Sequence, residues 1–219
     1  MKKLESTLTN MVVVLVAVAV ITGALLAWVN HATEAPIKLQ DEMALANGIK
    51  EVMCTNDLKV TSDDEINQEF DGKEQTFIVH KASDKDGKFI GAAVESTTMG
   101  FGGELKVLVG FDAEGKVLGY TILQAAETPG LGAKADKWFQ KDGKGSIIGK
   151  QIGEKPLTVN KDGGDIDAIT ASTITSRAFL KAVNQAYAVY AGQDDSASDG
   201  QSGASVQNGK RHTNPEDIR

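Results

Sequence analysis

A long uncharged apolar run near the amino terminus limits the structures that this chain can adopt. From Met11 to Val29 the residues are apolar or small except for Thr22, and none carries a charge. As a helix rising about 1.5 Å per residue, the run is about 28 Å long, close to the apolar thickness of a bilayer. A helix that is apolar on every face suits lipid better than a protein core. The run therefore predicts a transmembrane helix over residues 11–29.

The flanks of this run indicate that it is an uncleaved anchor and set its orientation. Residues 24–31 contain no convincing small-x-small cleavage site, so a secretory signal is the weaker interpretation. Lys2 and Lys3 precede the run, and no lysine follows it until Lys38. The positive-inside rule then places residues 1–10 in the cytoplasm and the chain beyond residue 29 outside it.

Charge and cysteine content exclude several functional classes. The chain of 219 residues has a formal net charge of −7 and no extended basic cluster, so nucleic acid is not expected as a partner. Cys54 is the single cysteine, which rules out an intrachain disulfide. The histidines, His31, His80 and His212, lie far apart, and no Cys/His cluster suits zinc or an iron–sulfur centre. We expect no metal site and no catalytic constellation.

The middle of the chain predicts an antiparallel sheet with helices packed on it, which is an α+β fold. Alternating apolar residues and two Asp/Gly turns indicate two hairpins. An amphipathic helix precedes them, and it either packs on the domain or lies along a membrane partner. The strongest strands are expected at 75–82, 88–96, 104–112 and 116–124, shorter ones within 57–67 and at 156–160, and helices at 37–53 and 175–191.

The composition changes near the carboxyl end. Residues 192–219 are rich in Ser, Asp, Gly, Gln and Asn and have almost no large apolar side chain. Such a segment buries too little surface to offset the entropy of ordering it, so we expect a disordered tail. The predicted division is therefore a cytoplasmic segment 1–10, a transmembrane helix 11–29, a domain 30–191 and a tail 192–219.

The run from Glu127 to Gly132 has two interpretations. Pro129 and Gly130 stand at the second and third positions of a possible type II turn, which is a structural role. The functional alternative is a loop whose missing side chains let backbone amides approach a phosphate or a planar ring. The residues of the loop alone leave both interpretations open.

The hydroxyl-rich run from Asp167 to Ser176 also has two interpretations. It stands just before apolar residues at helical spacing, so a helix is predicted to begin near Thr173 to Ser176. Serine or threonine there can cap the first free N–H groups, which is the ordinary structural role. The same N–H groups and the helix dipole favour a phosphate.

Together these two runs resemble a known family of FMN-binding proteins. The family includes the G subunit of the Rnf complex and the C subunit of the sodium-pumping NADH:quinone reductase. Asp167, Thr170 and Thr173 match its flavinylation motif, whose last threonine carries FMN through a phosphoester bond, and the Glu127–Gly132 run resembles its second signature. The chain departs at Ala171, where the motif has Gly, and at Ser172, where it has Ala.

The resemblance implies covalently bound FMN and a set of site residues. Thr173 is the expected attachment point, and Ser172 is a second candidate hydroxyl. No residue is expected to be catalytic, because the flavin ring supplies the chemistry and the protein supplies position and electrostatics. The other residues expected around the cofactor are Thr170, Thr175, Glu127, Thr128, Gly130, Leu131 and Gly132.

The function implied by the resemblance is electron transfer within a membrane complex. The chain is expected to be a redox subunit of an ion-translocating oxidoreductase of the Rnf type, acting between ferredoxin and NAD, rather than a stand-alone enzyme. Expected partners are other membrane subunits, including iron–sulfur and flavin subunits, and a flavin transferase for maturation. The domain is expected in the periplasm, anchored in the inner membrane. The alternatives are the C subunit of the sodium-pumping reductase and an anchored FMN-binding sensor without a redox partner.

Overall fold

The computed structural model describes residues 8–55, 58–153 and 155–199. Its first element is one continuous helix, α1 (Leu8–Val52), which joins the predicted transmembrane and amphipathic segments without a break. Pro36 lies inside α1, where proline removes one backbone donor. The apolar part of α1 is not covered by the rest of the protein, and it is long and apolar enough to cross a membrane. Lys2 and Lys3 lie outside the described residues.

A five-stranded sheet follows α1. Its strands run in the order β1-β2-β3-β4-β5, and every neighbouring pair is antiparallel. The predicted α+β class and the antiparallel sheet are therefore confirmed. The strands are β1 (Lys59–Phe70), β2 (Lys73–Ser83), β3 (Phe89–Met99), β4 (Glu104–Asp112) and β5 (Val117–Ala125).

Two aspartates shape the tight hairpins of this sheet. The Asp84 carboxylate accepts a hydrogen bond from the Lys88 N–H at 2.9 Å, and Asp112 does the same for Lys116 at 2.7 Å. Gly87 lies at φ 80° and supplies the left-handed position that the first turn needs. Both hairpins that the Asp/Gly turns predict are present.

Two predicted strands differ from the structure. The short strand expected within 57–67 is the long edge strand β1, because pairing with β2 extends to Phe70 despite its polar sequence. Asn56 and Asp57 lie outside the described residues. The prediction of a strand at 156–160 is wrong. Val159 makes only an isolated parallel bridge to Ile166, because a 3-10 turn over Asn160–Asp162 and two glycines reverse the chain.

The two faces of the sheet pack against different helices. The last helix, α3 (Thr173–Asp199), covers one face through a core that includes Phe111, Tyr120 and Phe179. The end of α1 covers the other face. It approaches closely because Gly110 and Gly119 are paired across β4 and β5, and a Cβ on Gly110 would lie 2.5 Å from the Val52 carbonyl oxygen.

The carboxyl end of α3 passes the predicted domain boundary. The helix predicted over 175–191 extends from Thr173 to Asp199, so regular structure enters the first part of the expected tail. Residues 200–219 lie outside the described residues.

A short helix, α2 (Ala135–Trp138), precedes α3 and leads directly into Phe139, which stacks on Phe179 at a centroid distance of 4.3 Å.

Candidate functional site

The hydroxyl-rich run forms a tight turn followed by the first turn of α3. The Ser172 N–H donates to the Ile169 carbonyl at 3.0 Å, and the Ser176 N–H donates to the Ser172 carbonyl at 3.0 Å. Ala171, between these bonds, lies at φ 61° in the left-handed region. A residue with a Cβ costs about 1–2 kcal/mol there. This conformation gives a physical reason why glycine suits the position that alanine occupies here.

Most hydroxyls of the run are turned inward. Ser172 is 9% exposed, and Thr175 and Ser176 are fully buried. The Ser176 hydroxyl donates to the Ser172 carbonyl at 3.0 Å and accepts from the Ile169 N–H at 2.9 Å. The Ser176 hydroxyl therefore stabilises the turn and the start of α3 through two hydrogen bonds.

Thr170 and Thr173 differ from these three hydroxyl residues. Thr170 is exposed in the turn, and Thr173 is half-buried as the first residue of α3. The Lys161 ammonium lies 2.9 Å from Thr173 Oγ1 and donates to it. Thr173 thus combines partial exposure, a helix amino terminus and a cation, all of which suit a phosphate ester.

Glu127 ties three segments of the site together. Its Oε1 accepts from the Phe101 N–H and its Oε2 from the Thr175 hydroxyl, each at 2.8 Å. The carboxylate is closely enclosed, since a Cβ on Gly100 would lie 2.0 Å from Oε1 and one on Gly132 would lie 2.3 Å from Oε2. Glu127 therefore connects the β3–β4 loop, its own loop and α3.

The loop after Glu127 forms the expected turn. The Leu131 N–H donates to the Thr128 carbonyl at 3.1 Å, and Gly130 lies at φ 77°, as the third position of a type II turn requires. A Cβ on Gly130 would point into open space, whereas Gly132 is buried against Glu127. The loop thus has both a turn and a close backbone approach.

Four large apolar side chains are exposed in the segments that surround Glu127 and Thr173. Met99, the last residue of β3, and Phe101, in the β3–β4 connection, are 69% and 70% exposed, while Leu131 and Ile174 are 40% and 53% exposed. We call these four residues the apolar rim. Exposed apolar clusters mark surfaces that bind a ligand or a partner. The rim, the closely packed glycines and Lys161 fit a cofactor with a flat ring and a phosphate.

Asp167, the first residue of the motif, is exposed, and its hydrogen bonds are to Asn160 and Trp138. Its carboxylate accepts from Asn160 Nδ2 and its carbonyl accepts from Trp138 Nε1, each at 2.7 Å. These bonds fix the segment that leads into α3. Asp167 therefore acts through the loop that carries Lys161 rather than through contact with Thr173.

Two parts of the site, Lys161 and the loop at residues 100–103, are absent from the set predicted from the sequence. The Lys161-Asp162-Gly163-Gly164 run indicates only a turn, and nothing in it shows that the lysine meets Thr173. The closely spaced Gly100, Gly102 and Gly103 are a sequence signal that could have identified this loop. In the structure, Gly100 and Gly102 each lie so close to another segment that a Cβ would not fit. The other predicted residues lie either in the loop after Glu127, namely Thr128, Gly130, Leu131 and Gly132, or near Thr173, namely Thr170, Ser172 and Thr175.

A second polar cluster lies on the opposite face of the sheet. Glu95 and His80 are 3% and 4% exposed. His80 Nε2 is 2.9 Å from Glu95 Oε1, its Nδ1 is 2.6 Å from Asp63 Oδ1, and Lys106 Nζ is 2.5 Å from Glu95 Oε2. We call these four residues the buried charge cluster. Within the described residues, no group of three or more His, Cys, Asp or Glu side chains suits a metal ion.

Two residues of the buried charge cluster, His80 and Glu95, have shifted pKa values. Burial alone would lower the pKa of His80, but its hydrogen bonds to Glu95 and Asp63 outweigh this and raise the pKa. Burial would raise the pKa of Glu95, but its bonds to His80 and Lys106 lower the pKa. Glu95 follows Val94, which faces α3, so its side chain points to the other face. The cluster is thus separate from Thr173.

Comparisons with known proteins point to the same part of the chain. The model of the FMN-binding domain family matches residues 100–188, a range that starts at the glycine-rich loop and ends within α3. The G subunit of the ion-translocating oxidoreductase complex of Vibrio parahaemolyticus is 34% identical over 178 residues, covering 74% of this chain and 79% of that protein.

Two further relatives extend this similarity. The protein of the same name from Shewanella oneidensis is 35% identical over 180 residues, which cover 77% of this chain and 82% of the relative. The G subunit of the Na(+)-translocating ferredoxin:NAD(+) oxidoreductase complex of Acetobacterium woodii is 38% identical over 106 residues, covering 48% and 51%. The chain therefore contains an FMN-binding domain within a wider similarity that covers most of its length.

Proposed function

The chain belongs to the family formed by the G subunits of ion-translocating oxidoreductase complexes, and on this premise we propose that it is the electron-carrying flavoprotein of such a complex. The complex is of the Rnf type, between ferredoxin and NAD, and FMN is joined to Thr173 Oγ1 by a phosphoester bond. The observation that carries the proposal is the environment of Thr173. It is the hydroxyl of the motif that lies at the start of α3, is partly exposed and meets a cation.

The neighbouring hydroxyl groups are less suitable attachment points for FMN than that of Thr173. Ser172 is nearly buried, and its backbone holds the first turn of α3. Thr175 is fully buried and its hydroxyl donates to Glu127. Thr170 is exposed but precedes the helix, so it lacks the free N–H groups that stabilise a phosphate.

The protein's part in the chemistry is binding and orientation. When bound, FMN supplies reversible electron transfer through its ring. Lys161 and the α3 amino terminus offer positive charge to the phosphate, and the apolar rim offers a surface for the ring. Glu127 holds the β3–β4 loop, its own loop and α3 together, because its carboxylate accepts hydrogen bonds from both Phe101 and Thr175. No side chain needs to transfer a proton in this role.

Location and attachment fit together in this proposal. The apolar part of α1 anchors the chain in the inner membrane as a single span, with the domain in the periplasm. Outside the cytoplasm free FMN is scarce, so a covalent bond retains the cofactor. Attachment requires a separate Mg-dependent flavin transferase that acts after export, and the iron–sulfur and flavin subunits of the complex exchange electrons with the bound cofactor.

Purification from the native membrane tests the proposed function. The intact mass should exceed that of the chain by one FMN less one water, and iron–sulfur and polytopic subunits should co-purify. A flavinylated chain that purifies without redox subunits would support the anchored sensor instead. Co-purification with a sodium-pumping NADH:quinone reductase would support membership of that complex as its C subunit. An unmodified chain would contradict covalent attachment.

The proposed orientation has its own test. A reporter enzyme that is active only outside the cytoplasm, fused after Ala191, should be active in cells. Activity of a cytoplasmic reporter at the same position, with α1 intact, would contradict a periplasmic flavin site.

A further inference from the structure

We propose that Lys161 is the positioning residue for flavin attachment. Its ammonium group holds the Thr173 hydroxyl before the FMN phosphate is joined to it and pairs with the phosphodiester afterwards. The inference rests on the proposed function, since it concerns the same threonine. Its basis is the 2.9 Å contact between Lys161 Nζ and Thr173 Oγ1, which joins residues from two separate segments of the chain.

The backbone around Lys161 holds it in place. Residues 159–166 form a closed loop in which the Asn160 N–H donates to the Ile166 carbonyl at 2.8 Å and the Gly164 N–H donates to the Val159 carbonyl at 3.1 Å. Lys161 is the middle residue of the 3-10 turn in this loop. These hydrogen bonds therefore fix the backbone that carries Lys161 next to α3.

The neighbouring charges are already paired with each other. Arg177, one turn into α3, binds Asp162 through two hydrogen bonds of 2.6 Å. This pairing lowers the pKa of the Asp162 carboxyl and occupies the guanidinium. Lys150 likewise pairs with Asp165 at 2.5 Å. Lys161 differs from both cations, because its ammonium donates its hydrogen bond to a neutral hydroxyl and acts on Asp162 only through the attraction between their charges.

This arrangement suits phosphoryl transfer to Thr173. A lysine ammonium can only donate, so Oγ1 accepts from it and keeps its own hydrogen available to a base of the transferase. The Oγ1–phosphorus bond forms while the phosphorus–oxygen bond to the nucleoside monophosphate leaving group of a flavin dinucleotide breaks. The broken bond's electron pair leaves with that group, the hydroxyl proton goes to the base, and nothing is oxidised or reduced. The ammonium stabilises negative charge on Oγ1 and the phosphate oxygens.

In vitro flavinylation of the full chain tests this role. Wild type, Lys161→Gln, Lys161→Arg and the matched control Lys141→Gln are incubated in detergent with a flavin transferase, Mg²⁺ and a flavin dinucleotide. The initial rate of covalent labelling is followed by gel fluorescence. We expect Lys161→Gln to slow labelling by about tenfold or more, since it removes a charge-assisted hydrogen bond. Lys161→Arg should stay within about threefold of wild type because it keeps the charge, and Lys141→Gln should match wild type.

The ³¹P resonance of the completed phosphodiester gives a second measurement. It should shift in Lys161→Gln protein that has been labelled to completion, because the counter-ion is missing, and it should not shift in Lys141→Gln. Equal rates and equal resonances in wild type and Lys161→Gln would overturn the role of Lys161 while leaving Thr173 attachment intact. A Lys161→Arg rate as low as that of Lys161→Gln would overturn the role of the charge. If wild type is not labelled at all, the proposed attachment and this inference both fail.

Discussion

The buried charge cluster and the start of α3 are the two polar centres of the domain, and they differ in how their groups are satisfied. In the cluster, His80 and Glu95 are almost fully buried and every charge faces a partner charge. At the start of α3, Thr175 and Ser176 are fully buried, but Thr173 is partly exposed and the apolar rim lies in the surrounding segments. One centre is complete within the chain, and the other has surface available for a ligand.

Shifted pKa values do not distinguish the two centres, because they occur at His80 and Glu95 and also at Asp162, next to Lys161. Shifted pKa values often mark active sites, but structural ion pairs shift them too. Here His80 and Glu95, on the sheet face that α1 covers, have pKa values shifted by their pairing with each other and with their charged neighbours. A covalent flavin needs no shifted acid or base from the protein. The two centres should therefore separate under mutation, with stability depending on one and flavin attachment on the other.

The largest expected effect on stability comes from Glu95→Ala. This change leaves His80 buried without one of its partners and removes the carboxylate that Lys106 binds. Breaking a buried pair in this way costs about 3 kcal/mol or more in the free energy of unfolding. Chemical denaturation of the full chain in detergent measures it.

The matched control for Glu95→Ala is Asp63→Ala, because the Asp63 side chain is 63% exposed. Asp63→Ala should lower the free energy of unfolding by less than about 1 kcal/mol. Flavin incorporation per folded molecule should be unchanged in both variants. A loss of flavin incorporation in folded Glu95→Ala protein would contradict the independence of the two centres.

The next largest effect is expected at Gly132. In Gly132→Ala the new Cβ would lie 2.3 Å from Glu127 Oε2 and 2.7 Å from Thr175 Oγ1, so the hydrogen bond between those atoms must break or shift. We expect a loss of about 1–3 kcal/mol in stability, from overpacking, together with reduced flavin incorporation. Thermal unfolding and gel fluorescence measure the two effects.

Gly130→Val provides the comparison within the same loop. Its Cβ would meet no other atom, but its φ of 77° is unfavourable for valine. The domain should stay folded while flavin incorporation falls, because the added side chain stands where the ligand approaches. Normal incorporation with an unchanged flavin spectrum would mean that the turn is only structural.

A smaller effect is expected from pH. Because the folded pKa of His80 is raised, its contribution to stability is fully present below its ordinary pKa of 6.5 and is lost as the pH rises through the folded value. The free energy of unfolding should therefore decline from mildly acidic to alkaline pH. Replacement of His80 by Gln should flatten this decline. A decline of equal slope in His80→Gln would show that other groups cause it.

The sequence is sufficient for the elements whose pattern is local. The β4 bounds follow from alternation and an Asp/Gly turn, and the predicted strand at 104–112 coincides with Glu104–Asp112. The start of α3 at Thr173 lies within the range Thr173 to Ser176 that the hydroxyl residues before an apolar helical pattern predict. Glu127 and Thr173 are predicted as site residues through resemblance, and a hydrogen bond from Thr175 to Glu127 joins their two segments in the structure.

Other features depend on contacts between distant segments and have no local signal. Lys161 meets Thr173 only because the loop over 159–166 folds back on itself. His80 and Glu95 lie 15 residues apart and meet across β2 and β3, so their pairing requires the strand register. The predicted strand at 156–160 is wrong because a single bridge between Val159 and Ile166 replaces a ladder.

The smallest effect in this series is expected from Ser172→Ala. The Ser172 side chain is nearly buried, and the first turn of α3 uses its carbonyl oxygen rather than its hydroxyl. Removing the hydroxyl should leave flavin attachment unchanged and alter stability by less than about 1 kcal/mol. Loss of labelling in this variant would identify Ser172 as the attachment point.

Covalent attachment of FMN to Thr173 is tested by gel fluorescence and peptide mass mapping of wild type, Thr173→Ala and Ser172→Ala. The proteins are expressed in a host with an active flavin transferase and separated under denaturing conditions, so that only covalent flavin remains. Wild type and Ser172→Ala should show an ultraviolet-excited band, with the added mass on the peptide that contains Thr173, and Thr173→Ala should show none. Full fluorescence in Thr173→Ala, or no flavin on wild type, would contradict attachment at Thr173.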